Sequence, residues 1–173
     1  EKAGIIRAHA VTVLAPQPLP WRETVRQVVR PKCGRFLDAE SLILCAPEPA
    51  DTALFTCAGG SSLAAESRLA GELARGIRLV SVLAGAHQFG NLCTVLAALV
   101  GLEIASGGTL RVDSASIRAG VAATRWPGRF EIACREPLVI VDGAHCVLSA
   151  EALGDTFRAL FGEREVVVVA GFM

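Results

Sequence analysis

The sequence lacks net charge: 17 Lys and Arg balance 17 Asp and Glu over 173 residues. No long-range field therefore draws the chain to a nucleic acid or to an anionic membrane surface, and neither is expected as a partner. It also lacks a long apolar run. Apolar residues make up 52% of the chain and the mean hydropathy is +0.47. The longest continuous stretch, LCTVLAALVGL at 92–102, nevertheless falls far short of the ~18 residues that span a bilayer, so no transmembrane helix is predicted. The opening EKAGIIRAHA does not run from a basic start through an apolar core to a small-residue cleavage site. It does not read as a signal peptide, and the cytoplasm is the expected compartment. The six cysteines (Cys33, Cys45, Cys57, Cys93, Cys134, Cys146) form no CxxC. Disulfides and zinc thus give way to small buried hydrophobes in a reducing compartment. Internal repeats and low-complexity segments are absent too.

What is present fits one ordinary domain, or one domain and part of another. The chain starts at Glu1 without an initiator methionine and stops at VVVVAGFM just after an apparent strand, which reads as a fragment. VTVLAP (11–16) predicts a short strand, and LPWRETVRQVVRPKCG (19–34) predicts a helix with Trp21, Val25, Val28 and Val29 on one face. Apolar runs broken by Pro, Asp and Gly suggest a few strands and turns over 34–66. A strand and turn follow at 76–91, then a helix opened by His87, Gln88 and Asn91, then a helix over 112–124 with Asp113 or Ser114 as N-cap. From Pro137 the pattern reads strand (PLVIV), helix (LSAEALGDTFRALFG) and strand (EREVVVVAG), a βαβ unit. The expected class is α/β, with a parallel sheet covered on both faces. RWPGRFEIACREP is the candidate linker, dividing the chain into 1–128, a linker at 129–136, and 137–173.

Ligands of open parallel sheets collect beyond the carboxyl ends of strands, where helix N-termini present unpaired N–H groups. DGAH, at 142–145, follows the apolar strand LVIV. Asp142 there can accept from ribose hydroxyls, Gly143 permits close backbone approach, and His145 can donate to a phosphate oxygen. Capping of the next helix by Asp142 is the plainer alternative. Other stretches carry compatible chemistry. Lys2 in EKAGIIR can take up carbon dioxide as a carbamate that binds magnesium or its water shell, or it is a solvated lysine. In LAGAHQFGN, Asn91 offers a donor and an acceptor to an adenine edge, or His87, Gln88 and Asn91 merely cap their helix. The turn RWPGRFE projects Arg129, whose planar fork suits phosphate oxygens, with Arg125 a weaker candidate.

Taken in order, EKAGIIR (1–7), Gly85-x-His87-Gln88-x-x-Asn91, WPGRFE (126–131) and DGAH (142–145) resemble the folylpolyglutamate synthase and dihydrofolate synthase family of the Mur-type ligases. The resemblance implies the C-terminal part of a Mur-ligase-type central ATP-binding domain over 1–128, followed from 137 by the start of a Rossmann-like C-terminal domain, with ATP between them. It implies a catalytic Lys2, carbamylated and serving magnesium, and a catalytic His145 near the phosphates. Asn91 would be the adenine-side residue, Arg129 the phosphate-binding arginine and Asp142 the ribose carboxylate. The implied reaction joins L-glutamate to a folate or dihydropteroate carboxylate through an acyl phosphate made from ATP, with Mg2+ as cofactor. The family pattern continues after DGAH with asparagine and proline, whereas Cys146 and Val147 stand here. The phosphate loop expected upstream of Lys2 is absent from these residues, so the missing N-terminal half is an expected partner and the fragment alone is expected to be inactive. A cell-wall-precursor ligase of the same group and a non-catalytic nucleotide-binding descendant are the alternative readings.

Overall fold

Alternation and β-branching build the first unit. Val11–Leu14 form β1, Pro18 and Pro20 open helix α1 (Leu19–Val29), and Arg35–Asp38 form β2, which pairs parallel to β1 with Val11 opposite Arg35. The structure, a computed structural model, describes residues 2–49, 51–58 and 63–171. Pro20 sits in the first turn of α1, where its missing N–H costs no helical bond. Val25, Val28 and Val29 turn inward as the periodicity predicts, but Trp21 is 62% exposed and belongs to no core. Asp38 ends β2, caps the short helix α2 (Ala39–Leu42) through the Glu40 amide, and is held by Arg22 at 3.1 Å.

The second unit is antiparallel. β3 (Ile43–Glu48), β4 (Thr52–Cys57) and β5 (Ile77–Val80) pair in the order β3-β4-β5. This corrects the expectation of one parallel sheet: only β1 and β2 run parallel among the described strands. Only residues 49–51 separate β3 from β4, too few for a crossover, so a hairpin is the only pairing that the connection permits. Ala53, Phe55 and Cys57 point inward on β4, as do Ile77 and Leu79 on β5, the two-residue period of a sheet with one covered face. Helix α3 (Arg68–Ala74), capped by the Ser67 hydroxyl on the Ala70 amide, leads into β5.

Helix α4 (His87–Ala105) is the axis of the core. It packs against β1, β2 and β3, with Leu96, Ala97 and Val100 fully buried. At Gly101 a Cβ would stand 3.0 Å from Val11 and 3.2 Å from Leu37, so the missing side chain sets how closely α4 crosses the parallel pair. Each fully buried leucine, valine or phenylalanine here contributes roughly 1.5–3 kcal/mol. By length and a hydropathy of 1.5, α4 is apolar enough to cross a bilayer, which the shorter run at 92–102 does not reveal. Its buried stripe includes Glu103, 2% exposed, whose Oε2 accepts from the Ser67 hydroxyl at 2.6 Å and the Leu69 amide at 3.0 Å. α4 is thereby tied to the start of α3 as a core helix.

Helix α5 (Ser114–Ala123) follows, with Asp113 as its N-cap. The last unit is the hairpin β6 (Glu131–Arg135) and β7 (Leu138–Val141), then helix α6 (Val147–Phe161). Residues 129–136, expected as a linker, thus contain a strand. The run Val166–Val169, expected as the closing strand of a βαβ unit, forms none: Val167 is 94% exposed and no strand lies beside it among the described residues. A valine run supplies propensity, but a strand exists only where a neighbour takes its N–H and C=O groups. The cysteines divide likewise. Cys57 and Cys93 are buried and Cys45 half-buried, whereas Cys33, Cys134 and Cys146 are exposed, contrary to the reading of all six as core residues; all are free thiols.

Glu103→Ala removes the acceptor of two buried donors, and urea denaturation is expected to show a loss of roughly 2–4 kcal/mol. A loss below that of an ordinary exposed substitution would show that the carboxylate does not hold α3 to α4.

Candidate functional site

The carboxyl end of β7 is built around one side chain. Asp142 Oδ2 accepts from the Phe130 amide at 2.8 Å and Oδ1 from the Ala144 amide at 2.7 Å. The Gly143 amide donates to the Gly128 carbonyl at 2.8 Å, and the Gly128 amide donates to Glu131 Oε2 at 2.7 Å. The turn 126–131 and the DGAH loop are therefore laced together. Phe130 sits at φ 48, a left-handed conformation that costs a bulky residue on the order of 1 kcal/mol. Its bond to Asp142 and its burial beside Phe161, with near-parallel rings 6.3 Å apart, offset that cost. Asp142 does not cap α6; Cys146 does. A carboxylate has about four acceptor directions, so these two bonds leave others for a ligand.

Arg129 lies over this loop, with Nη1 3.5 Å from where a Cβ on Gly143 would stand. Its guanidinium is exposed and makes no ion pair among the described residues. Arg125 is already engaged: its Nη1 donates to the Ala122 and Thr124 carbonyls at the end of α5. His145 Nδ1 is 3.0 Å from the Gly143 carbonyl. A carbonyl only accepts, so Nδ1 carries the proton and a neutral ring presents Nε2 as a bare acceptor. The structure thus brings Arg129, Asp142 and His145 into one pair of loops.

The resembled family's pattern puts asparagine, a strong N-cap, after His145. Cys146 fills that place: its Sγ accepts from the Ser149 amide, while Ser149 Oγ accepts from the amides of His145 and Cys146, both at 3.0 Å. The hydroxyl of Ser149 and its amide hold the Cys146 thiol below its usual range. Cys93 shows the opposite: burial first, and then the neighbouring Cys45, push it up to about 11.

Asn91 belongs to a second cluster. Ala86, not a polar side chain, is the N-cap of α4, so His87, Gln88 and Asn91 are not capping residues. They bond to one another instead: Gln88 Nε2 lies 2.9 Å from His87 Nε2, and Asn91 Nδ2 donates to Gln88 Oε1 at 2.9 Å. Asn91 lines a groove of about 330 Å³ between α4 and α5, with Leu83, Val95, Ile117, Val121 and Thr124 among its walls. Arg129, Asp142 and His145 do not line that groove, although Thr124 begins the segment that leads to Arg129. The loop before α4 meets the last helix at Gly85. At φ 106, a Cβ there would stand 2.5 Å from Thr156 Oγ1 on α6 and 2.7 Å from His87 Nδ1, so the loop before α4 touches the last helix closely.

Lys2 opens a 3-10 turn (Lys2–Ile5), but its side chain lies outside the described residues. Among those residues no group of three or more His, Cys, Asp or Glu is placed to hold a metal. Ser149 and Thr156 escape sequence reasoning, and Gly85 enters it only as the first residue of the motif Gly85-x-His87-Gln88-x-x-Asn91. Ser149 alone left a sign, standing three places past the N-cap where a capping box puts its second partner.

No family model matches the chain. It is 41% identical over 83 residues to the dihydrofolate synthase/folylpolyglutamate synthase of Escherichia coli (strain K12), a match covering 48% of this chain and 18% of that protein. The protein of the same description from Bacillus subtilis (strain 168) is 30% identical over 87 residues, 50% of this chain and 20% of its own length. Among solved structures, Mycobacterium tuberculosis folylpolyglutamate synthase complexed with ADP and AMPPCP matches with a TM-score of 0.67 at 25% identity, covering 90% of this chain and 33% of that one. A folylpolyglutamate synthase complex with AMPPCP and folate matches with a TM-score of 0.69 at 22% identity, covering 94% and 37%; this second likeness is one of fold. The chain therefore spans about a fifth of the curated relatives' length and about a third of the solved chains', and the resemblance read from its motifs holds over that part.

Two substitutions probe this geometry. Ser149→Ala should shift the pH profile of Cys146 alkylation by iodoacetamide to higher pH, because the thiolate loses its donor; an unmoved profile would refute the reciprocal cap. Gly85→Ala should raise hydrogen exchange in α6, because the new Cβ meets Thr156 in a conformation that alanine resists. Unaltered protection in α6 would show that the contact is not a seam.

Proposed function

We propose that this chain, whose relatives and structural neighbours are folylpolyglutamate and dihydrofolate synthases, is part of an ATP-dependent ligase that adds glutamate to a folate or dihydropteroate carboxylate. In this reading residues 1–128 are the later part of a central ATP-binding domain, 129–136 join it to the next, and 137–173 begin a Rossmann-like domain; the protein works in the cytoplasm. The observation that carries the proposal is the Asp142 clamp, which sets the exposed guanidinium of Arg129 on the DGAH loop beside His145. A free cation suits a nucleotide's phosphates, and a carboxylate with spare acceptor capacity at the same strand end suits its ribose hydroxyls.

The residues divide the work by their chemistry. Arg129 makes parallel charge-assisted bonds to phosphate oxygens and offsets the charge that gathers on them during transfer, where most catalysis of this reaction class resides. The spare lone pairs of Asp142 accept from ribose hydroxyls, while its bonds to Phe130 and Ala144 keep the carboxylate from turning. His145, with Nδ1 held by the Gly143 carbonyl, meets a phosphate oxygen by donating from a protonated Nε2. Asn91 meets the adenine edge at the groove between α4 and α5. Lys2, as its carbamate, is this chain's contribution to magnesium, and the described residues hold no metal cluster of their own.

ATP supplies the phosphoryl group that turns the substrate carboxylate into an acyl phosphate, magnesium shields the phosphate charge, and glutamate's amine then displaces phosphate to leave an amide. Closing the last unit on the loop before α4, at the Gly85–Thr156 contact, would exclude water, which protects such an intermediate from hydrolysis.

Titration calorimetry of the chain with ATP and with adenosine tests the assignment. Arg129→Ala is expected to weaken ATP binding about tenfold and to leave adenosine binding unchanged, because the guanidinium serves phosphates and not the base. Equal ATP affinity in the two proteins would overturn it.

A further inference from the structure

Two of the core cysteines touch each other. Along β3 the inward side chains are Ile43 and Cys45, and along α4 the buried stripe runs through Cys93, Leu96, Ala97 and Val100. β3 packs on α4, so residues far apart in the chain bring their thiols together, and the thiols of Cys45 and Cys93 share a hydrogen bond. We infer that Cys45 and Cys93 form an oxidisable dithiol, a modification site at which a hydroperoxide closes a disulfide that staples α4 to the sheet. The other thiols are engaged elsewhere. Cys57 faces the same core from β4, but its Sγ donates to the Ala58 carbonyl at 3.7 Å. Cys33, Cys134 and Cys146 are exposed, with Cys134 bonded to the Glu136 carbonyl and Cys146 to Ser149.

The contact also assigns the roles. Burial pushes both thiols up, Cys93 to about 11, while the shared hydrogen bond draws Cys45 back toward its ordinary value. Cys45 is also the less buried of the two, so it meets a small oxidant first. Its thiolate attacks one peroxide oxygen and the O–O bond breaks, leaving a sulfenic acid on Cys45 and, from hydrogen peroxide, a molecule of water. The Cys93 sulfur then attacks the Cys45 sulfur. The S–S bond forms, the S–O bond breaks, and the departing hydroxide takes the Cys93 proton and leaves as a second water. The thiols together lose a pair of electrons, and the peroxide accepts them. The bond closes the chain over residues 45–93, which restricts the unfolded state, and it fixes α4 just past Asn91.

Peptide mapping tests the pair in the unaltered chain. The folded protein is treated with hydrogen peroxide, its remaining thiols are blocked with N-ethylmaleimide in denaturant, and the digest is read by mass spectrometry. Peptides joined through Cys45 and Cys93 are expected from the monomer, and dithiothreitol should separate them. Dimedone, which traps sulfenic acids, should label Cys45 weakly in the wild type and many times more strongly in Cys93→Ser, where no second thiol displaces the hydroxyl. In Cys45→Ser, Cys93 should stay reduced. Oxidation of the wild type should also raise its urea midpoint, and dithiothreitol should reverse the rise. Absence of the joined peptides from the oxidised wild type overturns the inference, as does dimedone labelling of Cys45 that is equally strong with and without Cys93. An unmoved urea midpoint in the joined protein overturns the staple.

Discussion

Asp142 is a short side chain that spans a gap in sequence. One of its oxygens holds the amide of Ala144 in its own loop, and the other holds the amide of Phe130, twelve residues back. Without that acceptor, Phe130 would occupy a left-handed conformation with nothing to reward it, and the turn carrying Arg129 would have no fixed relation to the strand end carrying His145. The aromatic contact of Phe130 with Phe161 extends the same constraint to the far end of α6. A carboxylate used this way is both scaffold and ligand group, since it accepts from backbone on some directions and keeps others open.

The larger unit depends on a comparable device deeper in the fold. Glu103 is a charged residue type in the most apolar helix of the chain, and it survives there because the Ser67 hydroxyl and the Leu69 amide need an acceptor. It fixes α4 lengthwise against α3, while Gly101 fixes how near α4 comes to β1 and β2. With α4 set in both respects, its first turn delivers His87, Gln88 and Asn91 to one place. The site is thus the output of two carboxylates, one deep in the core and one at a strand end.

The elements themselves were legible in the chain. Strand β1, helices α1, α4, α5 and α6, and the N-cap at Asp113 follow from periodicity and capping chemistry, which operate within a few residues. The grouping of Arg129 with Asp142 and His145 was legible as motifs in order. Other features were not. The antiparallel pairing of β3, β4 and β5 depends on which edges meet, and the exposure of Trp21, of half the cysteines and of Val166–Val169 depends on which faces find a neighbour.

By itself the sequence determined where most helices begin, which chemical groups stand at their ends, and which family those groups resemble, because all three are properties of short stretches. Only the tertiary structure decided what each polar group is bonded to. Asp142 reads equally as a helix cap or a ligand group in one dimension, and it becomes a clamp only when the 126–131 turn is folded against it. A hydrogen bond needs its donor and acceptor within about 3 Å, and for side chains far apart in the chain only folding supplies that distance.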